Sequence, residues 1–484
     1  LISLFQSYNV FRGLDALFQY VCYFLIPVVV FHTVRSKRQL LLLAGVMALT
    51  GTIVATIGLL QYNGVYKFSY PWNVPVSTIG NVNFVAEYYN VVFPISLVLI
   101  LAYKNILLKC AAVLACFLMA CHLVVLGSRG GWLGCIVSLS IFGIAATLFH
   151  YRVGRRIVEV VCVPVVVLVM SWPVIGSMMS SIQVGPNQRL ESLADDYWNR
   201  IASRTEDALK LQDDSSRQRI YLWEDTFRMI FDRPVVGVGV GNFEYNIPRY
   251  MSRRALEVKM RMEKEVGSPL MPFRAHNEYL EVWAETGILG LGVFFLLLYQ
   301  VVKTLYKQFK RYVEGDGDLL SVGLAAAFSA TLAHSFFSTN LQDPASALHF
   351  WIVVGMIWSL KFNAEGEERI GLLVTDAGKV TFGVISAGGI AWIATLVFGV
   401  QALLGDHRYH IGMLYFGQRA YAQAADHLER ALRYPYPGSF AVSQALGMAH
   451  YNQGQWNEAV RAFRSSLIGN PNATRAHYYL GISL

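Results

Sequence analysis

Charged residues are scarce in this sequence. Only 15% of the 484 residues are charged, whereas 55% are hydrophobic. Ordinary soluble domains contain about 25% charged residues, so the composition excludes that class. It indicates a membrane protein.

Cysteine is also scarce, and none of it lies in the long polar segments. All six cysteines fall within or at the ends of apolar stretches. This distribution argues against a disulfide framework. It favours packing roles for small apolar side chains, at Cys22, Cys110, Cys116, Cys121, Cys135 and Cys162.

Long apolar runs are abundant. A helix needs about 20 apolar residues to cross roughly 30 Å of hydrocarbon. The sequence contains ten such runs, which we predict to be membrane spans. Because the sequence begins on Leu1 and stops within a helical repeat, we expect the natural chain to extend further at both ends. Ten spans are therefore a minimum. The predicted spans are 14–33, 39–62, 85–103, 106–127, 131–150, 157–179, 280–303, 319–338, 345–361 and 378–403.

The net charge of +8 could suggest a nucleic-acid partner, but the basic residues mark short connections between the spans. Such clustering is the positive-inside signature of a membrane protein. If the spans alternate, all these connections lie on one side, which we predict to be cytoplasmic. They are Arg35 to Arg38, Lys104 to Lys109, 151–157 and Lys303 to Arg311.

The same alternation places 61–84, 127–134, 180–277 and everything after 403 on the outer, periplasmic side. The long outer segment contains an amphipathic pattern that ends before Pro234. Its residues 237–243, GVGVGNF, predict a glycine-rich turn; they are weak evidence for a phosphate loop, because no strand precedes them. The helix pattern rests on a capping box at Ser215 and Gln218 and on Ile220, Trp223, Phe227 and Ile230.

A repeat follows the last span. Gly412, Gly447 and Gly481 are 35 and 34 residues apart, and small or apolar residues keep the same register between them. This spacing resembles the tetratricopeptide repeat, in which small residues let paired helices pack closely and the stack offers a surface to a partner.

Three outer residues could carry chemistry together. Each residue taken alone has an ordinary structural interpretation. Arg129 would bind lipid headgroups, Arg219 would lie on a solvated helix face, and His276 would cap a helix or pack against it. In combination, two guanidinium groups can hold a diphosphate. A histidine of near-neutral pKa can take a proton from a hydroxyl.

The motifs SRGGWLG, SRQRIYLWEDTFRMIFDRPVVGVGVGNF and HNEYLEVWAETGILG occur in this order, with a long outer loop between the first and the last. They resemble the O-antigen ligase superfamily, which includes glycan polymerases and protein O-oligosaccharyltransferases. GNVNFVAEYYNVVFP at 80–94 and the terminal repeats resemble its repeat-bearing members. The resemblance covers residues 40–484.

This resemblance implies a membrane glycosyltransferase of the bacterial inner membrane. Its donor would be a glycan on a polyisoprenyl diphosphate, such as undecaprenyl diphosphate, and the reaction would invert the anomeric centre. Arg129 and Arg219 match the family's diphosphate-binding arginines, and His276 matches its proposed base. The acceptor hydroxyl stays open between lipid A core, another glycan and a protein.

Metal and cofactors are not expected. The only Asp-x-Asp, Asp316 to Asp318, is predicted to be cytoplasmic, and the outer pairs Asp195–Asp196 and Asp213–Asp214 resemble solvated acids. Secondary site candidates are Arg274, Glu87 and His334. For Glu87, His334 and His349, solvation near the ends of spans is the simpler interpretation.

The sequence therefore predicts an all-α, polytopic transmembrane helical bundle with a large periplasmic loop and a tetratricopeptide-like domain. The predicted divisions are 1–179 and 278–404 for membrane helices, 180–277 for the loop, and 405–484 for the repeats. A glycolipid transporter is the distant alternative, although no pair of broken helices near the bilayer midplane supports it. A scaffold that binds a protein partner through the repeats is another alternative, but it leaves the three outer residues unused.

Overall fold

A computed structural model describes residues 2–62, 65, 75–145, 214–266, 274–315, 317–365, 401, 404–434, 439–471 and 473–484. The predicted span 157–179 and nearly all of 378–403 lie outside these ranges, as do Cys162, Asp195, Asp196 and Asp213. Every regular element within the described ranges is a helix, in agreement with the predicted all-α class.

In chain order the longer helices are α1 (Val10–Thr33), α2 (Lys37–Tyr62), α3 (Val82–Ala102), α4 (Ile106–Leu126), α5 (Arg129–Ala145), α6 (Asp214–Asp232), α7 (Arg253–Val266), α8 (Glu278–Glu314), α9 (Leu320–His334), α10 (Pro344–Glu365), α11 (404–417), α12 (Tyr421–Ala431), α13 (Ser439–Asn452), α14 (Trp456–Gly469) and α15 (Thr474–Ser483). Short helical turns also occur at Ile2–Gln6, Phe243–Asn246 and Ile247–Arg249.

Eight of these helices correspond to eight of the ten predicted spans. Within the described ranges, α1, α2, α3, α4 and α8 are long and apolar enough to cross a membrane. Helices α5 and α9 and the apolar part of α10 are shorter. The structure thus supports a membrane bundle with five candidate spans, whereas the predicted minimum of ten is not confirmed.

Helix α3 forms the centre of this bundle. It packs against α2, α4, α9 and α10, and its residues from Val85 to Leu99 are all buried. Apolar side chains on the outside of the bundle remain exposed, for example Val21, Leu42 and Val293. Such an apolar exterior fits a hydrocarbon solvent rather than water.

Two of the basic connections predicted to share one side lie at one end of the bundle, whereas 151–157 lies outside the described residues. The Lys37 ammonium lies 2.8 Å from the Asp318 carboxylate, which joins the connections before α2 and α9. The Tyr103 hydroxyl donates to the carbonyl of Leu41, which brings the connection after α3 to the same end. Lys303 to Arg311 lie inside α8 and not in a loop, because this helix continues to Glu314, beyond the predicted span end.

Helix α6 is the predicted amphipathic helix. Its described residues run from Asp214 to Asp232, so Ser215 lies within the helix and is not the predicted cap. Its buried stripe contains Leu222, Thr226 and Met229, whereas Phe227 is partly exposed. Asp225 shares this stripe because its buried carboxylate accepts from the backbone N–H of Ser252 and thereby holds the start of α7.

The repeat prediction agrees with the packing of the terminal helices. Gly412 in α11 lies against the Leu428 side chain in α12, and Gly447 in α13 lies against the Phe463 ring in α14. A β-carbon at either glycine would collide with its neighbour. The 35-residue spacing thus reflects two equivalent close helix contacts.

The repeats also contact the bundle. The side-chain amide of Asn9 donates to the carbonyl of Gly469, at the end of α14. The backbone N–H of Asn9 donates to Asn242 in the glycine-rich turn. Asn9 therefore links the repeats, the start of α1 and the glycine-rich turn.

Candidate active site

A four-residue segment, Arg274 to Asn277, connects to α8 and carries the predicted base. Two contacts hold Ala275, the residue before His276: the Trp223 indole donates to its carbonyl at 2.9 Å, and its N–H donates to Glu281 at 2.7 Å. Asn277 caps α8 by accepting from the N–H of Leu280. His276 has a φ of 51°, a left-handed conformation that is uncommon outside glycine and costs free energy.

The imidazole of His276 faces a positive field. Desolvation of the His276 ring by the neighbouring protein, together with the guanidinium groups of Arg219 and Arg274, lowers the pKa of His276 to about 4. The side chain keeps an exposed surface, and no residue in the described part of the chain hydrogen-bonds its ring. It is therefore neutral at physiological pH, with ring nitrogens open to an incoming group.

Arg219 lies on α6, one helical turn before Trp223. Residues four apart share one face of a helix, so the contact between Trp223 and Ala275 brings Arg219 over the His276 segment. Its charge reaches His276, Glu87 and His334. Side chains from α3, α6, α9 and the His276 segment thus lie within one electrostatic neighbourhood.

Arg129 is the first residue of α5, and its side chain is exposed. The following residue, Gly130, lies directly against the ring of His334 and has no room for a β-carbon. Ser128 anchors the same turn through a 3.0 Å bond to Asn83. The backbone at Arg129 therefore adjoins His334, whereas the charge that acts on this ring is that of Arg219.

Glu87 and His334 form a buried pair, so solvation near the ends of the spans does not explain them. Both are at most 2% exposed, and the His334 ring lies 3.8 Å from the Glu87 carboxylate. The other ring nitrogen lies 2.8 Å from the Asn90 amide. Ser338 donates to Glu87, and the Ser338 carbonyl accepts from the N–H of Glu278, which connects the pair to the start of α8.

Arg274, predicted as a secondary site residue, pairs within the protein. Its guanidinium lies 2.8 Å from Glu281 and also donates to Gln342. Burial alone would lower the pKa of Arg274, but the carboxylates of Glu281 and Glu285 raise it. It remains a cation beside His276, held on the side of the segment that faces α1.

The three glutamates in the first turns of α8 are all buried, and each accepts backbone N–H groups. Glu278 accepts from Leu341, Glu281 from Ala275, and Glu285 from Gly241 and Phe243 at 2.9 and 3.0 Å. Carboxylates near a helix N-terminus also interact favourably with its dipole. The sequence offered a signal for this role, since acids three and four residues apart open the helix.

The glycine-rich turn packs against α8 and donates hydrogen bonds to it. Gly237, Gly239 and Gly241 all have positive φ, and the turn places the N–H groups of Val238 and Gly239 on carbonyls at the end of the first segment of α8. There α8 kinks at Gly287, whose φ is 67°. These residues bind the protein's own backbone, which argues against a phosphate loop.

Among the residues that the structure describes, no cluster of three or more histidine, cysteine, aspartate or glutamate side chains is arranged to hold a metal. None of the five described cysteines is disulfide-bonded. Asp318 of the Asp-x-Asp motif pairs with Lys37.

Comparison with known families adds to this geometry. Residues 114–295, less than half of the chain, match the family model described as O-Antigen ligase, and residues 445–484 match a tetratricopeptide repeat. These are the features of a repeat-bearing O-antigen ligase superfamily member. A search of curated proteins finds no match.

The match to O-antigen ligase contains Arg129, Arg219, Arg274 and His276, whereas Glu87 and His334 lie outside it. The predicted family resemblance is therefore confirmed. It supports an O-antigen ligase-like membrane enzyme, a glycosyltransferase-like family of ligases and polymerases. The roles of individual residues stay predictions.

Proposed function

We propose that this protein is a periplasmic-facing membrane glycosyltransferase. It would move a glycan from a polyisoprenyl-diphosphate lipid to an acceptor hydroxyl, without a metal. One observation carries the proposal: within the O-antigen ligase match, a neutral imidazole at His276 stands in the field of Arg219 and Arg274. Arginines supply an anion site, and a neutral imidazole beside it supplies a base.

In the proposed reaction, the acceptor oxygen attacks the anomeric carbon while the bond from that carbon to the diphosphate breaks. The diphosphate leaves with the bonding electron pair, and the hydroxyl proton passes to His276. Arg129 and Arg219 offset the negative charge that grows on the leaving group. Attack on the face opposite the leaving group inverts the anomeric centre.

The low pKa of His276 fits a base that must be deprotonated before the donor binds. A pKa of about 4 keeps the base deprotonated before substrate arrives. Bound diphosphate then brings negative charge that offsets the arginines, which raises the pKa of His276 towards its ordinary value. The histidine becomes a stronger base only when the donor is in place.

The test uses purified protein with a labelled lipid-linked glycan and three acceptors: lipid A core, a second lipid-linked glycan and a protein. Product masses identify the transfer. We expect His276→Ala to abolish transfer with donor binding largely kept, and His410→Ala, an exposed histidine of the repeats, to leave it unchanged. Movement of the lipid across a bilayer with no acceptor modified would favour the transporter instead.

A further inference from the structure

The connection between α9 and α10, residues 335–343, lies against the start of α8. The carbonyls of Ser335 and Ser338 both accept from the backbone N–H of Glu278, at 2.9 and 3.1 Å. Because a peptide unit is planar, these two acceptors fix the plane of the peptide bond before Glu278, one residue after His276. The connection therefore holds the chain next to the candidate base.

One face of α3 holds the end of α9 and the turn that follows it. Glu87 of α3 accepts from the hydroxyl of Ser338. Three residues further along α3, the Asn90 amide lies 2.8 Å from the ring of His334, the last residue of α9. Residues three apart are neighbours on a helix surface. All four side chains are at most 5% exposed, so these contacts form away from water.

Two glycines of the SRGGWLG motif let α5 pack closely over this face. A β-carbon at Gly130 would collide with the His334 ring, and one at Gly134 would collide with the Asn90 amide. The two glycines are four residues apart and share one face of α5. Away from water a hydrogen bond is electrostatically stronger, and an unpaired polar group is more costly. The close packing of α5 therefore strengthens the contacts that α3 makes with the end of α9.

Ser338 is the point at which the Glu87 carboxylate is connected to α8. Its hydroxyl donates to Oε1 of Glu87, whereas Oε2 has no hydrogen-bond partner among the described residues. The His334 ring lies 3.8 Å from Oε1, beyond hydrogen-bond distance. In the described part of the chain the hydrogen bonds thus run from Glu87 to the Ser338 hydroxyl, and from the Ser338 carbonyl to the N–H of Glu278.

We propose that Glu87 is a positioning residue of the glycosyl transfer, which acts through Ser338 to hold His276 at the acceptor hydroxyl. This inference rests on the proposed function. Glu87 is 0% exposed, so it acts on the reaction through the protein and not by touching the substrate. Its role complements that of Glu281, which holds the backbone before His276, because the path through Ser338 holds the backbone after it.

The experiment compares Glu87→Ala, Glu87→Gln, Ser338→Ala and the double variant Glu87→Ala with Ser338→Ala. Each receives the labelled lipid-linked glycan and the acceptor that the wild-type protein modifies. Single-turnover rate constants are measured with saturating enzyme in excess over the donor, because they do not depend on the folded fraction. Ser96→Ala is the matched control for Ser338→Ala, since Ser96 is a buried residue of α3 that donates within its own helix, to the carbonyl of Val92.

We expect Glu87→Ala to lower the single-turnover rate at least about tenfold with donor affinity unchanged, since a displacement of about 1 Å at a catalytic group can cost roughly a hundredfold. Ser338→Ala should lose a similar factor. The double variant should be no slower than the slower single variant, because both substitutions break the same contact. Glu87→Gln keeps an acceptor oxygen for Ser338 and should recover most of the wild-type rate, and Ser96→Ala should match wild type.

A wild-type rate in Glu87→Ala would overturn the inference. Additive losses in the double variant would show that Glu87 does not act through Ser338, which also overturns it. So would a loss of donor affinity that accounts for the slower transfer, because Glu87 would then serve donor binding. If Glu87→Ala does not fold, a wild-type rate in Ser338→Ala is the overturning result. In each of these cases transfer by the wild-type protein and its loss in His276→Ala still support the proposed function.

Discussion

Glu281 offers a sharp test of how the His276 segment is held. Its buried carboxylate accepts from the Ala275 N–H at 2.7 Å, from Arg274 at 2.8 Å and from Gln342 at 3.0 Å. Glu281→Ala leaves all three donors without this acceptor. Removing one partner of a fully buried ion pair costs about 3 to 5 kcal/mol. Because the Arg274 side chain is 32% exposed and can turn to water, we expect a loss at or below the lower end of that range.

The cost should appear in activity as well as stability. Ala275 directly precedes His276, and a displacement of about 1 Å at a catalytic group can cost roughly a hundredfold in rate. We expect Glu281→Ala to lower the melting temperature in detergent and to lower kcat by about that factor. Glu281→Gln retains one acceptor oxygen and should lie between the alanine variant and wild type.

Glu257→Gln is the control for Glu281→Gln, because both replace a paired glutamate by glutamine. Glu257 pairs with Arg253 at 3.1 Å on an exposed surface of α7, where such pairs contribute at most about 1 kcal/mol. It should leave both melting temperature and kcat unchanged. Wild-type turnover in Glu281→Ala would show that these contacts do not position the histidine.

Three further predictions follow from the site. Because the neutral base is the active form and the pKa of His276 is about 4, kcat/KM should stay flat from pH 8 to 6 and fall only near pH 4; an inflection near 6.5 would contradict this. Arg219→Lys keeps the charge but loses the forked donor geometry, so donor KM should rise at least about tenfold, and a wild-type KM would count against diphosphate binding. Gly287→Ala meets both a φ of 67° and the Val235 carbonyl, so we expect about 2 kcal/mol of destabilisation in thermal unfolding, against little change for Gly292→Ala, which has open space.

Periodic features were the most predictable from sequence. Apolar runs located the five candidate spans and the three shorter apolar helices of the described ranges, because crossing hydrocarbon requires a length and composition that few other segments have. The glycine spacing likewise located the repeats, since Gly412 and Gly447 make equivalent close contacts. The loop predicted at Lys303 to Arg311 was wrong, because these residues continue α8 and lysine and arginine are good helix formers.

The partners of the site residues could not be predicted. Arg274 and Arg219 look alike in the sequence, yet Arg274 pairs with Glu281, and the charge of Arg219 acts on Glu87, His276 and His334. Solvation was wrong for Glu87 because its position near the end of a span gave no sign that α9 and the Ser338 turn cover it. Such contacts join helices that lie far apart in the sequence. Hydropathy does not show which of these helices pack together.

Backbone geometry explains why so many titratable groups lie at the start of α8. The glycine-rich turn and the His276 segment fold against the helix start, where their N–H groups are removed from water and need acceptors. Glu281 and Glu285 supply those acceptors, and Glu278 does the same for the turn before α10. With these acids committed to backbone, His276 keeps a ring that no described residue engages. An irregular segment before a candidate membrane helix can thus hold a strained histidine between two cations, because the Glu281 carboxylate fixes the backbone before it and the Asn277 cap fixes the backbone after it.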